Sequence, residues 1–167
     1  QWPYSTVWQL WLFWLGGIRE KELKRIMDNI QIIYPILPIV GLHLYAHVHL
    51  IVNVYKAIKS REVRYRYFRL YEGDAPDYLK AARDHYKNFT EQPILFYLLC
   101  VLLFVTDSVI TLDIYLAWGY VIFKTIHSFI RFTSNYVPYR SKAFFVCYFI
   151  LSAGWIRFVI SFFWNGK

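Results

Sequence analysis

The sequence predicts an all-α integral membrane protein: a four-helix bundle preceded by an extra N-terminal interfacial helix. Three observations predict it. Of its 167 residues, 57% are apolar and 22% aromatic against 18% charged, more large apolar surface than a soluble domain of this size can hide. Those residues are collected into long blocks rather than dispersed, as bilayer crossings require. The basic excess, 19 Lys+Arg against 11 Asp+Glu for a net charge of +8, is concentrated in two of the connections between blocks, as membrane topology demands. Residues 1–30 read as a Trp-rich interfacial and amphipathic segment, and residues 31–167 as one four-span membrane domain.

The opening WPYSTVWQLWLFWLGG segment is apolar and Trp-rich; it is read as a helix lying in the interface and ending at Gly16-Gly17, because a crossing would place the charges of Arg19 to Arg25 on the wrong side. Arg19 to Asn29 reads as a solvated amphipathic connector. Span one is residues 31–55, an apolar run with Pro35, Pro38 and Gly41 in its first half and no charge before Lys56.

The second apolar block, Ile94 to Val105, has twelve residues, which cover roughly 18 Å of a hydrocarbon core of about 30 Å. Its helix must extend upstream, and so brings Asn88 and Glu91 to the membrane boundary. Span three, Ile114 to Phe123, is short in the same way and must include Lys124 and His127. Span four, Ala143 to Trp164, is long enough alone, with Arg157 placed to snorkel outward. Tyr71 to Asp77, marked by Gly73 and Pro76, is a loop.

The stretch Lys56 to Lys87 carries nine Lys/Arg, and Arg131 to Lys142 carries three with no acid, whereas Thr106 to Asp113 has two acids and no base. The first and third connections are therefore expected on the cytoplasmic or matrix side, with both termini opposite. This arrangement gathers Lys87, Asn88, Glu91, Lys124, His127, Arg131, Asn135, Arg140 and Ser141 at one end of the bundle. Ionisable groups at membrane depth are costly and face an interior or a watery recess, so the expectation is a shared polar pocket in which Glu91 finds a cationic partner.

Two motifs then carry a resemblance. Lys87-Asn88-Phe89-Thr90-Glu91-Gln92-Pro93 followed by ILFYLL, and LDIYLAWGYVIFKTIHSFIRFTSNYVPYRS from Leu112 to Ser141, resemble the second helix and the third-helix-to-fourth-helix region of the MAPEG superfamily, membrane-associated proteins of eicosanoid and glutathione metabolism. The second motif is especially similar to the superfamily's bacterial-type branch, and the likeness covers roughly residues 31–164. It implies a homotrimer with glutathione bound between neighbouring subunits near the cytoplasmic face. Lys87, Asn88, Glu91, His127 and Arg131 would be binding positions; Arg140 and Ser141 would approach the thiol as catalytic positions.

The implied ligand suits the residues, since glutathione is a net anion with two carboxylates and one ammonium and needs several cations and one acid. A lipophilic electrophile would enter from the bilayer. The chain also departs from the superfamily pattern: Asp84 stands where an Arg is common, with Arg83 out of register, Phe144 replaces a Tyr, and Arg131 replaces an aromatic residue.

Two function classes follow. The first is a glutathione-dependent transferase or peroxidase, to which the retained Asn88, Glu91, His127 and Arg140-Ser141 incline the reading. The second is a non-catalytic subunit or scaffold of a larger membrane complex, docked through the Trp-rich N-terminus. Cys100 and Cys147, 47 residues apart in apolar blocks, read as buried thiols. His43, His47 and His49 form HxxxHxH, a spacing that presents two imidazoles on one helix face; hydrogen bonding across helices or to a partner is preferred to metal binding, and no metal site is assigned. RYRYFRLYEG, Arg64 to Gly73, reads as a lipid-headgroup anchor rather than a nucleic-acid site.

Overall fold

The computed structural model describes residues 27–165, and within them every regular element is a helix. The Trp-rich segment and most of the 19–29 connector lie outside the described residues. Residues 27–30 are helical and residues 31–35 form turns, so the first apolar block becomes a long helix only at α1, Ile36–Lys59. Pro35 lies just before it and Pro38 in its first turn, where a missing N–H costs nothing. Two residues of the N-terminal approach are nonetheless docked: Ile32 is fully buried in the core, and buried Asn29 donates from Nδ2 to Asp107 Oδ1.

After α1 the basic connection contains α2, Tyr67–Leu70, and leads into α3, Asp77–Val105. The 29 residues of α3 include Pro93 and span about 43 Å, which bears out the extension upstream of Ile94. A turn at 106–110 leads to α4, Thr111–Phe132, and a second turn leads to α5, Val137–Asn165. The helices α1, α3 and α5 are long and apolar enough to cross a membrane by themselves. The helix α4, at 22 residues about 33 Å long, is the fourth member; its buried face carries Asp113, Lys124, His127 and Ser128, while its outward face, with Leu112, Trp118, Ile122 and Phe129, is apolar.

The helices pair as α1 with α3 and α4 with α5, and smaller contacts of α1 with α4 and of α3 with α5 close the bundle. Its core joins Ile39 and Ala46 of α1, Phe89 and Phe96 of α3, and Tyr120 and Cys147 of α4 and α5, with the Phe96 and Tyr120 rings stacked at 4.3 Å. Small residues set the spacing: a Cβ on Gly154 would lie 2.8 Å from Leu99 Cδ2. Both cysteines are free and buried, as the sequence suggested.

The basic connection is a folded cap rather than a simple solvated loop. Ala57, Val63, Tyr67, Ala75 and Leu79 form a small core of their own. Tyr78 OH donates to Glu62 Oε2 at 3.0 Å, and Arg83 Nη1 donates to Tyr67 OH at 3.3 Å. The chain reverses at Tyr71 and Gly73, both with positive φ. Of the aromatic stretch expected to anchor headgroups, Tyr67 is buried in this cap while Tyr65 and Tyr71 are exposed.

Arg157 does not snorkel. Its Nη2 lies 2.7 Å from Asp113 Oδ2, with the Asp113 side chain only 1% exposed, and its Nη1 donates to Ser108 O at 3.1 Å. Asp113 belongs to the first turn of α4, where its Oδ2 also accepts from Ile110 N at 2.9 Å. A carboxylate already fixed there by the helix start draws the guanidinium inward across the bundle.

Candidate functional site

The polar residues singled out by the sequence do gather at the end of the bundle formed by the α4–α5 turn, but on two different surfaces. On α3 the buried residues His85, Phe89 and Phe96, with half-buried Gln92 between them, recur at i, i+4, i+11 and i+7 and define the inward face. Lys87 and Glu91 fall on the opposite face, exposed, with Lys87 Nζ 3.8 Å from Glu91 Oε1. Asn88 lies at the flank, its Nδ2 donating to Asp84 O on its own helix at 2.7 Å. Glu91 thus has its cationic partner one turn away rather than across the bundle, and the expected single recess is not formed within one chain.

The inward surface is assembled from α3, α4 and α5. Lys124, 1% exposed, donates from Nζ to Gln92 Oε1 at 2.9 Å and stands 5.0 Å from the centre of the Phe89 ring. One turn on, the buried His127 ring faces His85 at 6.5 Å and Phe144 at 5.9 Å, and His85 packs edge-on against Phe132 at 4.3 Å. Arg131 is half-buried beyond them. Arg140, in the first turn of α5 and next to half-buried Ser141, donates from Nη1 to Asn135 Oδ1 at 2.7 Å. Asn135 itself has positive φ, a conformation that asparagine tolerates better than most residues.

Several buried polar atoms here have no hydrogen-bond partner: His85 Nε2, Gln92 Nε2, His127 Nδ1, Ser128 Oγ and Arg131 Nε. Such atoms cost free energy unless water or a ligand meets them. Three of the residues involved, His85, Gln92 and Ser128, are not among the candidates the sequence singled out; for the two on α3 a signal existed. The signal was the 85–89–92–96 stripe, which identifies the helix face by its large apolar members.

The departures also acquire places. Phe144 sits against His127, where a tyrosine hydroxyl would have offered a hydrogen bond. Arg83 is committed to the cap through Tyr67 and Tyr71 and so does not replace the missing arginine at position 84. Asp84 is close enough to Arg131 for their charges to interact.

The histidine trio of α1 packs rather than hydrogen-bonds across helices. His43 stacks on Phe89 at 5.8 Å, His47 meets Tyr86 at 5.1 Å, and the partner of His49 Nε2 is Asn53 on the same helix at 3.2 Å. Among the described residues no cluster of three or more His, Cys, Asp or Glu could hold a metal ion.

The arrangement can hold negative charge, with Lys124, Arg131 and Arg140 near one another and Asp84, beside Arg131, as the acid that approaches them. Outward apolar residues on the spans, such as Leu44, Ile51, Leu98, Phe149 and Ile160, make the protein an integral membrane protein in contact with lipid. No curated protein and no solved structure matches the chain. Residues 36–160, which contain all four long helices almost entirely, match the model of the MAPEG family. With three-quarters of its length matched over the same four-helix layout, the chain belongs to the MAPEG family.

Proposed function

We propose that this MAPEG-type protein binds glutathione and acts as a glutathione-dependent transferase or peroxidase on a lipophilic electrophile. The observation that carries the reading is the excess of cations on the inward surface, Arg131 and Arg140 beside His127, with a ready acid and base on the outward face of α3. The donor set fits a tripeptide with two carboxylates and one ammonium. Because Lys87, Asn88 and Glu91 face away from His127 and Arg140 within one chain, a ligand touching both sets has to lie between copies, which favours a homotrimer with inter-subunit sites. The basic end of the bundle would face the cytoplasm or matrix.

In this reading Lys87 and Arg131 bind carboxylates, Glu91 takes the ammonium, and Asn88 and His127 orient the peptide by hydrogen bonds. Bound glutathione supplies a nucleophilic thiol. Arg140, steadied by Asn135, puts positive charge beside the sulfur, which favours ionisation there, and Ser141 offers a hydroxyl to the same atom. Lipid-facing helices let an apolar second substrate approach without crossing water.

The purified protein should bind glutathione in calorimetry with an affinity that falls as salt rises, because charge pairing dominates. The Arg140→Ala variant should lose conjugation of a lipophilic electrophile while keeping its oligomeric state. Absence of binding at millimolar ligand would favour the alternative, a non-catalytic subunit of a larger membrane complex. Phe144 in place of a hydroxyl and Asp84 in place of a cation support that second reading.

A further inference from the structure

The inward surface holds a feature that the tripeptide does not explain. Lys124 lies on a membrane-embedded helix, is almost completely buried, and uses one of its three N–H donors, on a neutral amide oxygen. No ion pair joins it to a carboxylate among the described residues, where Arg83 pairs with Asp84, Lys87 with Glu91 and Arg157 with Asp113. Asp113 is eleven residues earlier on α4, about 16 Å away along the axis. A buried ammonium without a counter-charge is expensive. On the same inward surface are Gln92 Nε2, Ser128 Oγ, His127 Nδ1 and His85 Nε2, all buried and all without partners; His127 and Ser128 follow Lys124 by three and four residues on α4, and His127 faces His85 at 6.5 Å. Each of these is a donor, or becomes one in the appropriate imidazole tautomer.

We propose that the interior of the basic end is a binding site for a small monovalent anion, held by Lys124 with Gln92, Ser128 and the His85–His127 pair. An anion fits this shell better than a water molecule does, because the buried ammonium lacks a counter-charge and water supplies none. The ion is small because its neighbours are close: Gln92 Oε1 is 2.9 Å from Nζ and the Phe89 ring centre 5.0 Å. The site lies within a single chain; of its residues only His127 also serves the proposed glutathione contacts, and the test is read at Lys124, which does not.

The test uses bromide as the probe on the full-length protein in detergent. At constant ionic strength, replacing sodium gluconate with sodium bromide should raise the thermal midpoint of the wild type by about 5 °C, against the usual destabilising trend of that ion. The Lys124→Met variant should show no such rise and should melt above the wild type in gluconate, since the uncompensated charge is gone. Equal wild-type midpoints in the two salts, or an equal rise in the variant, overturn the proposal. Crystals of the wild type grown in bromide give a second measurement that does not depend on the variant folding. An anomalous peak within hydrogen-bonding distance of Lys124 Nζ supports the site, and a water there without anomalous signal overturns it. Glutathione calorimetry on the same preparation reads the tripeptide site independently.

Discussion

At the end of the bundle that carries the 106–110 turn, charges are matched. Arg157 meets Asp113 and Ser108 O, Asp113 also receives Ile110 N, and Asn29 reaches Asp107. The remaining oxygen of Asp113 borders a cavity of about 20 Å³ shared with Tyr120, room for a single water. At the other end Lys124 has only a neutral partner, Arg140 is held by an asparagine, and donors on α3 and α4 have no partner. Both ends bury ionisable groups and both leave polar atoms without a hydrogen-bond partner, Arg157 Nε and Tyr120 OH at the first among them, so neither burial nor an orphaned atom alone separates structure from function. Pairing does: matched charges lock helices together, while unmatched ones are kept for something else to meet.

That contrast breaks most readily at the matched end. Asp113→Ala leaves Arg157 buried without its counter-charge and is expected to cost about 3–5 kcal/mol of stability, read as a lowered thermal midpoint in detergent. Replacing both partners with apolar residues, Asp113→Leu with Arg157→Met, should recover most of the loss, because the uncompensated charge disappears. A cost under about 1 kcal/mol for the single variant would mean that the pair is solvated, and the distinction between the two ends would fail.

A medium effect is expected from the packing that positions this pair. Gly154 faces Leu99 so closely that a methyl group would have to displace the leucine side chain by rotation. Gly154→Ala should therefore cost about 1 kcal/mol. Gly119→Ala, whose new Cβ would meet Ile150 Cδ1 at an ordinary 3.6 Å, serves as the control and should be neutral or slightly stabilising, since it raises helix propensity. Similar losses for both would show that glycine at 154 is not a steric requirement.

The architecture was legible because a physical length was missing: twelve apolar residues cannot cross a bilayer, so α3 had to include Asn88 and Glu91, and it does. The same arithmetic correctly carried α4 through Lys124 and His127. Orientation around the helix axis was harder to read. Asn88 and Glu91 are expected in a pocket because ionisable groups at membrane depth are costly, whereas the inward face of α3 is set by Phe89 and Phe96 against Tyr120, and these point Glu91 outward. Arg157 was misread for a related reason. Its partner is 44 residues away in sequence, and only the packing of α4 on α5 brings the two together. The MAPEG motifs, being local, identified the family without fixing which of their side chains share a surface.

The smallest expected effect lies at the unmatched end. Ser128 is fully buried yet its hydroxyl finds no partner, unlike Thr125 on the same helix, whose Oγ1 donates to Val121 O at 2.8 Å. A hydroxyl that stabilises nothing inside the protein can be removed at little cost, since the desolvation penalty goes with it. Ser128→Ala should change stability by no more than about 0.5 kcal/mol in anion-free buffer, compared with the several expected at Asp113. In bromide the same substitution should become visibly destabilising relative to the wild type, because there the hydroxyl has an ion to donate to. A loss of the same size in both salts would mean that Ser128 already serves the bundle, and the orphaned donors would belong with the matched charges of the opposite end.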